Sequence, residues 1–563
     1  MNIFLAQQNY HIGNFAYNTD KIIQAIHEAI RRGGDLIIFP ELSICGYPPL
    51  DLLEYDSFLQ DCENAIQRIL KETKDIGVIV GAPSRNPDSK GKDLYNSAYF
   101  LYEEKIVNII HKTLLPTYDV FDEYRYFEPA RSWEIVHFKE NKLAITICED
   151  IWHTHVPNPL YRHNPLDELI ACQPDLIINI SASPFDYLQQ EERLNTIRDT
   201  VAKYKTPLIY CNTVGAQTDL IFDGGSLVMN TQKEIVCRLA DFREDFATVH
   251  WDHLQKTFSA FNPTANKSLP VTSNYTGSWN PDYEIPKIHE ALILGIRDYF
   301  HKMNFQKAIV ASSGGIDSAL VIALACEALG PQQVETVLMP SEFSSAHSVA
   351  DAIQLSENTG NPYYTLPISS IFNSYIQTLA DRFQGLPFGV AEENLQSRIR
   401  GALVMAISNK FGSILLNTSN KSELATGYGT LYGDMAGGLS VLGDLYKTQV
   451  YALAKYLNRN GVIIPENILT KEPSAELRPG QKDSDSLPPY HLLDAILYLH
   501  VEHKLQADAI IAKGYEAEVV HRVLRLVFQN EYKRYQFCPI LRISPKAFGS
   551  GRRIPLVANY KPL

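Results

Sequence analysis

The run 311-ASSGGIDSALVIALACEAL-329 sets Ser312, Ser313, Gly314, Gly315, Ile316, Asp317 and Ser318 between a strand-like stretch, 307-KAIV-310, and an apolar helix-like one. Paired glycines let a backbone turn sharply and approach a ligand closely. The helix start beyond them offers unpaired N–H groups and the positive end of its dipole, which suits an anion. Three serine hydroxyls add donors. Asp317 does not fit a plain phosphate cradle, because a carboxylate repels phosphate unless a hard cation such as Mg²⁺ lies between them. The chemistry these residues suit is therefore phosphate plus metal. A structural turn with an Asp/Ser cap would also use these residue types, and the Gly-Lys-Ser/Thr of a Walker loop is absent.

A second chemistry sits far upstream. Cys148, in ITICEDIW, ends an apolar run. A thiol needs a base to become a nucleophile. Glu41 closes 35-DLIIFPE-41 and Lys112 closes 105-KIVNIIHK-112. Reactive side chains at the ends of several strands are how α/β folds assemble sites. Glu41 can serve as the base, and Lys112 can stabilise an oxyanion. Cys172, Cys211 and Cys326 read instead as small buried hydrophobes.

Positioning these groups takes more than one domain, and 563 residues exceed a single core. Strands are expected at 2–8, 35–41, 76–83, 95–102, 143–149, 175–181 and 207–213, with helices at 18–33 and 189–204. The segment 262–286, rich in Pro, Asn, Ser and Thr, reads as a linker. Beyond it, strands at 307–312, 334–340, 363–368 and 413–419 with long helices between them predict a parallel sheet. The expected domains are 1–261 and 287–563. A net charge of −13 argues against bulk nucleic-acid binding. No apolar run is long enough for a membrane span. Eight scattered cysteines without a C-x-x-C pair, and no signal-like start, suggest reduced thiols in a cytoplasm.

SGGxDS resembles the pyrophosphate loop of the N-type ATP pyrophosphatases, which cleave ATP between its α and β phosphates and adenylate an acceptor. Together with SNKSELATGYGTLYGD, DLYKTQVY and PSAELRPGQKDSDSLPPY, it resembles the NAD synthetase family over nearly all of 285–563. The resemblance implies that Ser312 through Ser318 hold the pyrophosphate and Thr418 contacts ATP. It makes Asp317 and Glu423 the Mg²⁺ carboxylates, and Lys447 the lysine that offsets phosphate charge. Asn394, Glu423 and Lys533 would meet deamido-NAD. The hydroxyls of 341-SEFSSAHSVADA-352 suggest a second phosphate loop, and Asp434 and Asp444 lie among glycine-loosened turns.

Glu41, Lys112 and Cys148, within FPELSICGYPP and CEDIW, resemble the nitrilase superfamily over about 1–250. GYPPLDLL and YDVFDEYRYFEP narrow this to the glutaminase domain attached to NAD synthetases. That implies Glu41 as general base, Lys112 assisting the tetrahedral intermediate and Cys148 forming a thioester with glutamine. Glu123 is a second carboxylate, the N–H after Cys148 an oxyanion donor, and Tyr118 and Ser183 hold glutamine. Members of the family often carry a basic residue where this chain has Gln189, so the contact to the glutamine carboxylate is expected to differ.

The implied architecture is an α/β/β/α sandwich followed by a doubly wound parallel α/β domain. The implied reaction takes deamido-NAD, ATP, glutamine and water to NAD, AMP, diphosphate and glutamate, with ammonia carried between sites. A homo-oligomer is implied too, a dimer at the synthetase domain or a larger assembly such as an octamer. Two other readings stay open: a different amidating ligase of the same loop class, and a nucleotide-sensing scaffold that binds ATP without releasing AMP.

Overall fold

Runs of Val, Ile and Leu alternate with amphipathic helices along the chain, and in the computed structural model they build two units, Met1–Ser273 and Asn274–Leu563. The structure describes residues 1–152, 160–260 and 278–559. The linker expected over 262–286 lies outside the described residues as far as 277.

The first unit is built on two sheets. The seven-stranded one runs, edge to edge, Thr257–Ala260, Asp245–Asp252, Asn2–Gln7, Leu36–Ile38, Gly77–Arg85, Leu94–Tyr102 and Lys105–His111. The six-stranded one runs Ile235–Arg238, Leu227–Met229, Leu208–Asn212, Leu176–Ser181, Asn141–Ile147 and Val136–Phe138. Alternation along each strand splits its side chains between two faces. Ile3, Leu5 and Phe100 of one sheet meet Ile145, Ile147 and Ile178 of the other in a single dry layer. Phe4, Ile37 and Val78 point the opposite way, to helices Phe15–Arg31 and Asp56–Leu70. Ala144 and Ile177 likewise pack on Pro165–Ala171 and Gln189–Tyr204. This is the expected α/β/β/α layering.

The expected strand 35–41 is shorter, Leu36–Ile38, because Pro40 stops the ladder and the chain turns through Leu42 at φ 45°. Cys172 is exposed at the end of a helix, against the expectation that it is a buried hydrophobe; Cys211 and Cys326 are buried.

In the second unit five strands pair in parallel, in the order Tyr363–Thr365, Val334–Leu338, Ala308–Ser312, Ile414–Asn417, Leu439–Ser440. By chain order this is 3-2-1-4-5, which reverses between the first and fourth strands. Ligands of open α/β sheets bind in the crevice beyond the strand ends at such a reversal. Among the described residues, no helix is long and apolar enough to cross a membrane.

Candidate active sites

Glu41 stands in the turn that Pro40 forces. Gly81 on the adjacent strand makes room for that turn, since a Cβ there would lie 2.3 Å from the Leu42 nitrogen. Lys112 directly follows the strand Lys105–His111, and Cys148 directly follows Asn141–Ile147. Cys148 holds φ 43°, a left-handed conformation uncommon outside glycine and frequent at reactive turns.

Lys112 Nζ donates to Glu41 Oε1 at 2.7 Å and to Glu123 Oε1 at 2.9 Å. Asn96 Nδ2 donates to Glu41 Oε1 at 2.7 Å, and the Ala182 N–H to Oε2 at 2.9 Å. Both oxygens of the expected base are thus fixed. Tyr47 OH donates to Glu123 Oε1 at 2.9 Å.

Burial, then the charge of Glu41, pushes the Cys148 thiol well above its ordinary range, while Lys112 acts the other way. Cys148 therefore rests as a neutral thiol, which could attack only as its proton leaves. Burial works against the Lys112 charge, but Glu123 and Glu41 outweigh it and hold the ammonium above its usual value. Burial raises the Glu123 carboxyl despite Lys112.

The two acids after Cys148 have separate tasks that the sequence reading missed, although their adjacency in CEDIW was the available signal. Glu149 is pushed up to about 7 by burial. It accepts from Tyr118 OH at 3.0 Å and from Tyr161 OH at 3.1 Å. Asp150 accepts the N–H groups of Thr113, Leu114 and Ile147, tying the chain beyond Lys112 to the Cys148 turn.

Of the expected glutamine contacts, Tyr118 is 39% exposed beside Glu149. Ser183 is buried, its N–H on Asn212 Oδ1 and its Oγ 3.5 Å from Arg193 Nη2. Arg193 is itself held by Asp223 at 2.9 Å. Gln189, half-buried, opens its helix with its N–H on Asp186 Oδ1.

The second unit holds a cavity of about 790 Å³ at the sheet reversal. Ser312, Ser313, Gly315, Ile316, Asp317, Ser318, Thr418, Lys447, Asn394, Glu423 and Lys533 all reach it. Gly314 is the exception. It turns the loop at φ 72°, where a Cβ would sit 2.2 Å from the Ser348 carbonyl oxygen. The Ile316 side chain is buried, so its N–H at the start of helix Ile316–Leu329 is the group open to a ligand.

Lys447 Nζ lies 2.5 Å from Asp317 Oδ2 and 3.8 Å from Glu423 Oε1. Burial, then Asp317, pushes Glu423 up to about 8. Asp317 and Glu423 share one ammonium, and their paired carboxyl oxygens are hard ligands that suit a divalent cation. Among the described residues no group of three or more His, Cys, Asp or Glu could hold a metal alone.

Thr430 Oγ1 donates to Asn394 Oδ1 at 2.7 Å, and Lys533 Nζ donates to the Gly427 and Gly429 carbonyls, each at 2.7 Å. Two of the four serine hydroxyls of the expected second phosphate loop are taken by a carboxylate, while Ser341 and Ser344 Oγ accept backbone N–H groups. Ser348 Oγ donates to Glu476 at 2.7 Å and Ser345 Oγ at 3.0 Å. Asp444 is buried on Lys421 and the Ile543 and Ser544 N–H groups, away from the cavity. Sequence reading also missed Asp494. It accepts from Ser422 Oγ at 2.5 Å and the Thr448 N–H at 2.8 Å, joining the starts of the helices that carry Glu423 and Lys447.

The carbon-nitrogen hydrolase family model matches residues 3–256, and the NAD synthase model matches 288–537. A glutamine-dependent NAD(+) synthetase of Synechocystis sp. is 46% identical over 568 residues, covering 100% of this chain and 99% of that one. This chain belongs to the glutamine-dependent NAD(+) synthetases. The family member of Thermotoga maritima is 40% identical, again over 100% of this chain and 99% of its own. The glutamine-dependent NAD+ synthetase of Acinetobacter baumannii, solved with adenosine diphosphate, superposes with a TM-score of 0.77 at 38% identity. That match covers 99% of this chain and 98% of that one.

Proposed function

We propose that the chain makes NAD from deamido-NAD by two half-reactions, one in each unit. In the first, Glu41 takes the thiol proton as Cys148 Sγ attacks the side-chain amide carbon of glutamine. The Lys112 ammonium and the N–H after Cys148 bind the oxyanion. Ammonia leaves with the proton returned by Glu41. Glu41 then draws a proton from water, whose oxygen attacks the thioester carbon; the C–S bond breaks, glutamate leaves, and Glu41 returns the proton to Cys148 Sγ. Glu123 keeps Lys112 charged. Tyr118 and Ser183 hold the amino acid, with Gln189 in place of the usual cation.

In the second, the carboxylate of deamido-NAD attacks the α-phosphorus of ATP and diphosphate leaves. Ammonia then attacks the activated carbonyl, and AMP departs. The serine-glycine run and the N–H groups of its helix bind the phosphates. Thr418 contacts ATP, Lys447 offsets charge, and Asn394, Glu423 and Lys533 hold the dinucleotide. Asp317 and Glu423 would hold Mg²⁺, which supplies further charge neutralisation on the phosphates. The ADP bound by the Acinetobacter baumannii relative supports the nucleotide assignment.

The observation that carries this reading is the presence of both side-chain sets in one chain: Lys112 on Glu41 and Glu123, and Lys447 on Asp317 and Glu423. The reading includes functional domains at 1–261 and 287–563, a cytoplasmic enzyme and a homo-oligomer, as a dimer of synthetase domains or an octamer. Eight free cysteines support the location.

The test is NAD formation from deamido-NAD, ATP and Mg²⁺, with glutamine or ammonium, in the wild type and Cys148→Ala. Loss of the glutamine reaction alone supports both half-reactions. A wild type that uses neither nitrogen source overturns them.

A further inference from the structure

Five cationic side chains reach the cavity of the second unit. Lys447 pairs with Asp317 at 2.5 Å and Lys471 with Glu476 at 3.1 Å. Arg478 pairs with Asp485 at 3.0 Å and Glu393 at 3.3 Å. Lys533 pairs with no carboxylate among the described residues but spans two backbone carbonyls. Arg400 is different. Among the described residues its one hydrogen bond runs from Nε to the Met339 carbonyl oxygen at 2.9 Å, and it pairs with no carboxylate there. Guanidinium carries five N–H donors in a planar fork, so most of its donor capacity is unused.

Arg400 is placed for a ligand. It lies on helix Val390–Phe411, where Glu393, Ser397, Arg400, Gly401 and Val404 all line the cavity. Their spacing of three and four puts them on one face. Met339 follows the strand Val334–Leu338, so Arg400 is anchored at the strand ends where a parallel sheet takes its ligands. Burial draws its guanidinium down to about 10, against the weaker pull of Asp434 and Glu476. A desolvated cation without a directly paired carboxylate is expensive, and a binding site can retain one when a ligand anion completes it.

We propose that the free edge of the Arg400 guanidinium binds a phosphate group of one of the two nucleotide substrates. The inference rests on the synthetase reading above and adds a binding residue to it. Both substrates carry a pyrophosphate linkage, and a planar fork matches two of its oxygens.

Initial rates with ammonium as nitrogen source test this in the full chain, comparing wild type, Arg400→Gln and Arg400→Lys. Each nucleotide is varied with the other saturating. Loss of a charge-assisted bond should raise KM about 10- to 100-fold for one nucleotide in Arg400→Gln, with a smaller fall in kcat. Arg400→Lys should recover part of that affinity, because it restores charge without the fork. A KM rise for ATP assigns the phosphate to ATP, and a rise for deamido-NAD assigns it to the dinucleotide. Calorimetric titration with ADP gives a readout independent of turnover for the ATP arm. Both KM values within twofold of wild type would overturn the proposal. So would a uniform loss of activity accompanied by a lowered Tm, which marks a structural role. A wild type that makes no NAD with ammonium would overturn the synthetase reading instead.

Discussion

Lys112 bridges Glu41 and Glu123 through a single ammonium, 2.7 Å from the first carboxylate and 2.9 Å from the second. The Lys112 and Glu41 side chains are both fully buried. Lys112→Met should therefore lose glutamine-dependent NAD formation and also destabilise the first unit. Breaking a buried pair costs about 3–5 kcal/mol because it leaves uncompensated charge. Urea unfolding followed with the kinetics checks both effects, and a variant as stable as wild type would show that the charges are neutralised another way.

Glu149 predicts a pH dependence of stability. Its folded pKa of about 7 stands above the reference value of 4.5. Between those values the folded chain keeps a proton that the unfolded chain has lost, so Glu149 removes stability as pH rises through that window. Glu149→Gln should match wild type near pH 4 and exceed it at pH 8, by up to about 3 kcal/mol. Equal differences at both pH values would contradict this.

Metal binding should depend on the proton of Glu423. Its carboxyl is pushed up to about 8, so below that pH a cation must displace a proton. Mg²⁺ affinity should tighten between pH 7 and 9, by at most about tenfold per unit on the acid side. Glu423→Gln should bind weakly and without that slope. Chelation should stop NAD formation from glutamine and from ammonium alike, with Mg²⁺ restoring both.

Gln189 offers a gain-of-function test. Gln189→Lys adds a cation at the start of helix Gln189–Tyr204, a few residues beyond Ser183. It should lower the KM for glutamine by about threefold or more, the worth of a partly exposed charged contact. Activity with ammonium should not change. An unaltered glutamine KM would mean that another group already balances the substrate carboxylate.

The local runs were the legible part of this chain. A phosphate-binding turn needs glycines, hydroxyls and a helix start within a few residues, and Ser312–Ser318 carries all of them contiguously. Helix Gln189–Tyr204 begins and ends where its sequence pattern predicts, because amphipathic periodicity is a local property. Short pieces were not legible. Val136–Phe138 and Leu227–Met229 have three residues each, too few to show a period, and their neighbours in the sheet make them strands.

By itself, then, the sequence determined the residue types that could react, the alternation that makes two α/β bodies, and the ends of strands and helices where reactive groups would stand. Tertiary structure decided what surrounds each group. The N–H of Ala182 reaches Glu41 across 141 positions, and Lys447 reaches Asp317 across 130. The pairing of Tyr118 and Tyr161 with Glu149, and the unpaired state of Arg400, are of the same kind. Burial and counter-charge are sums over neighbours brought together by strand pairing and layer packing. No window of sequence contains those neighbours, so the charge state and orientation of each side chain follow only from the assembled fold.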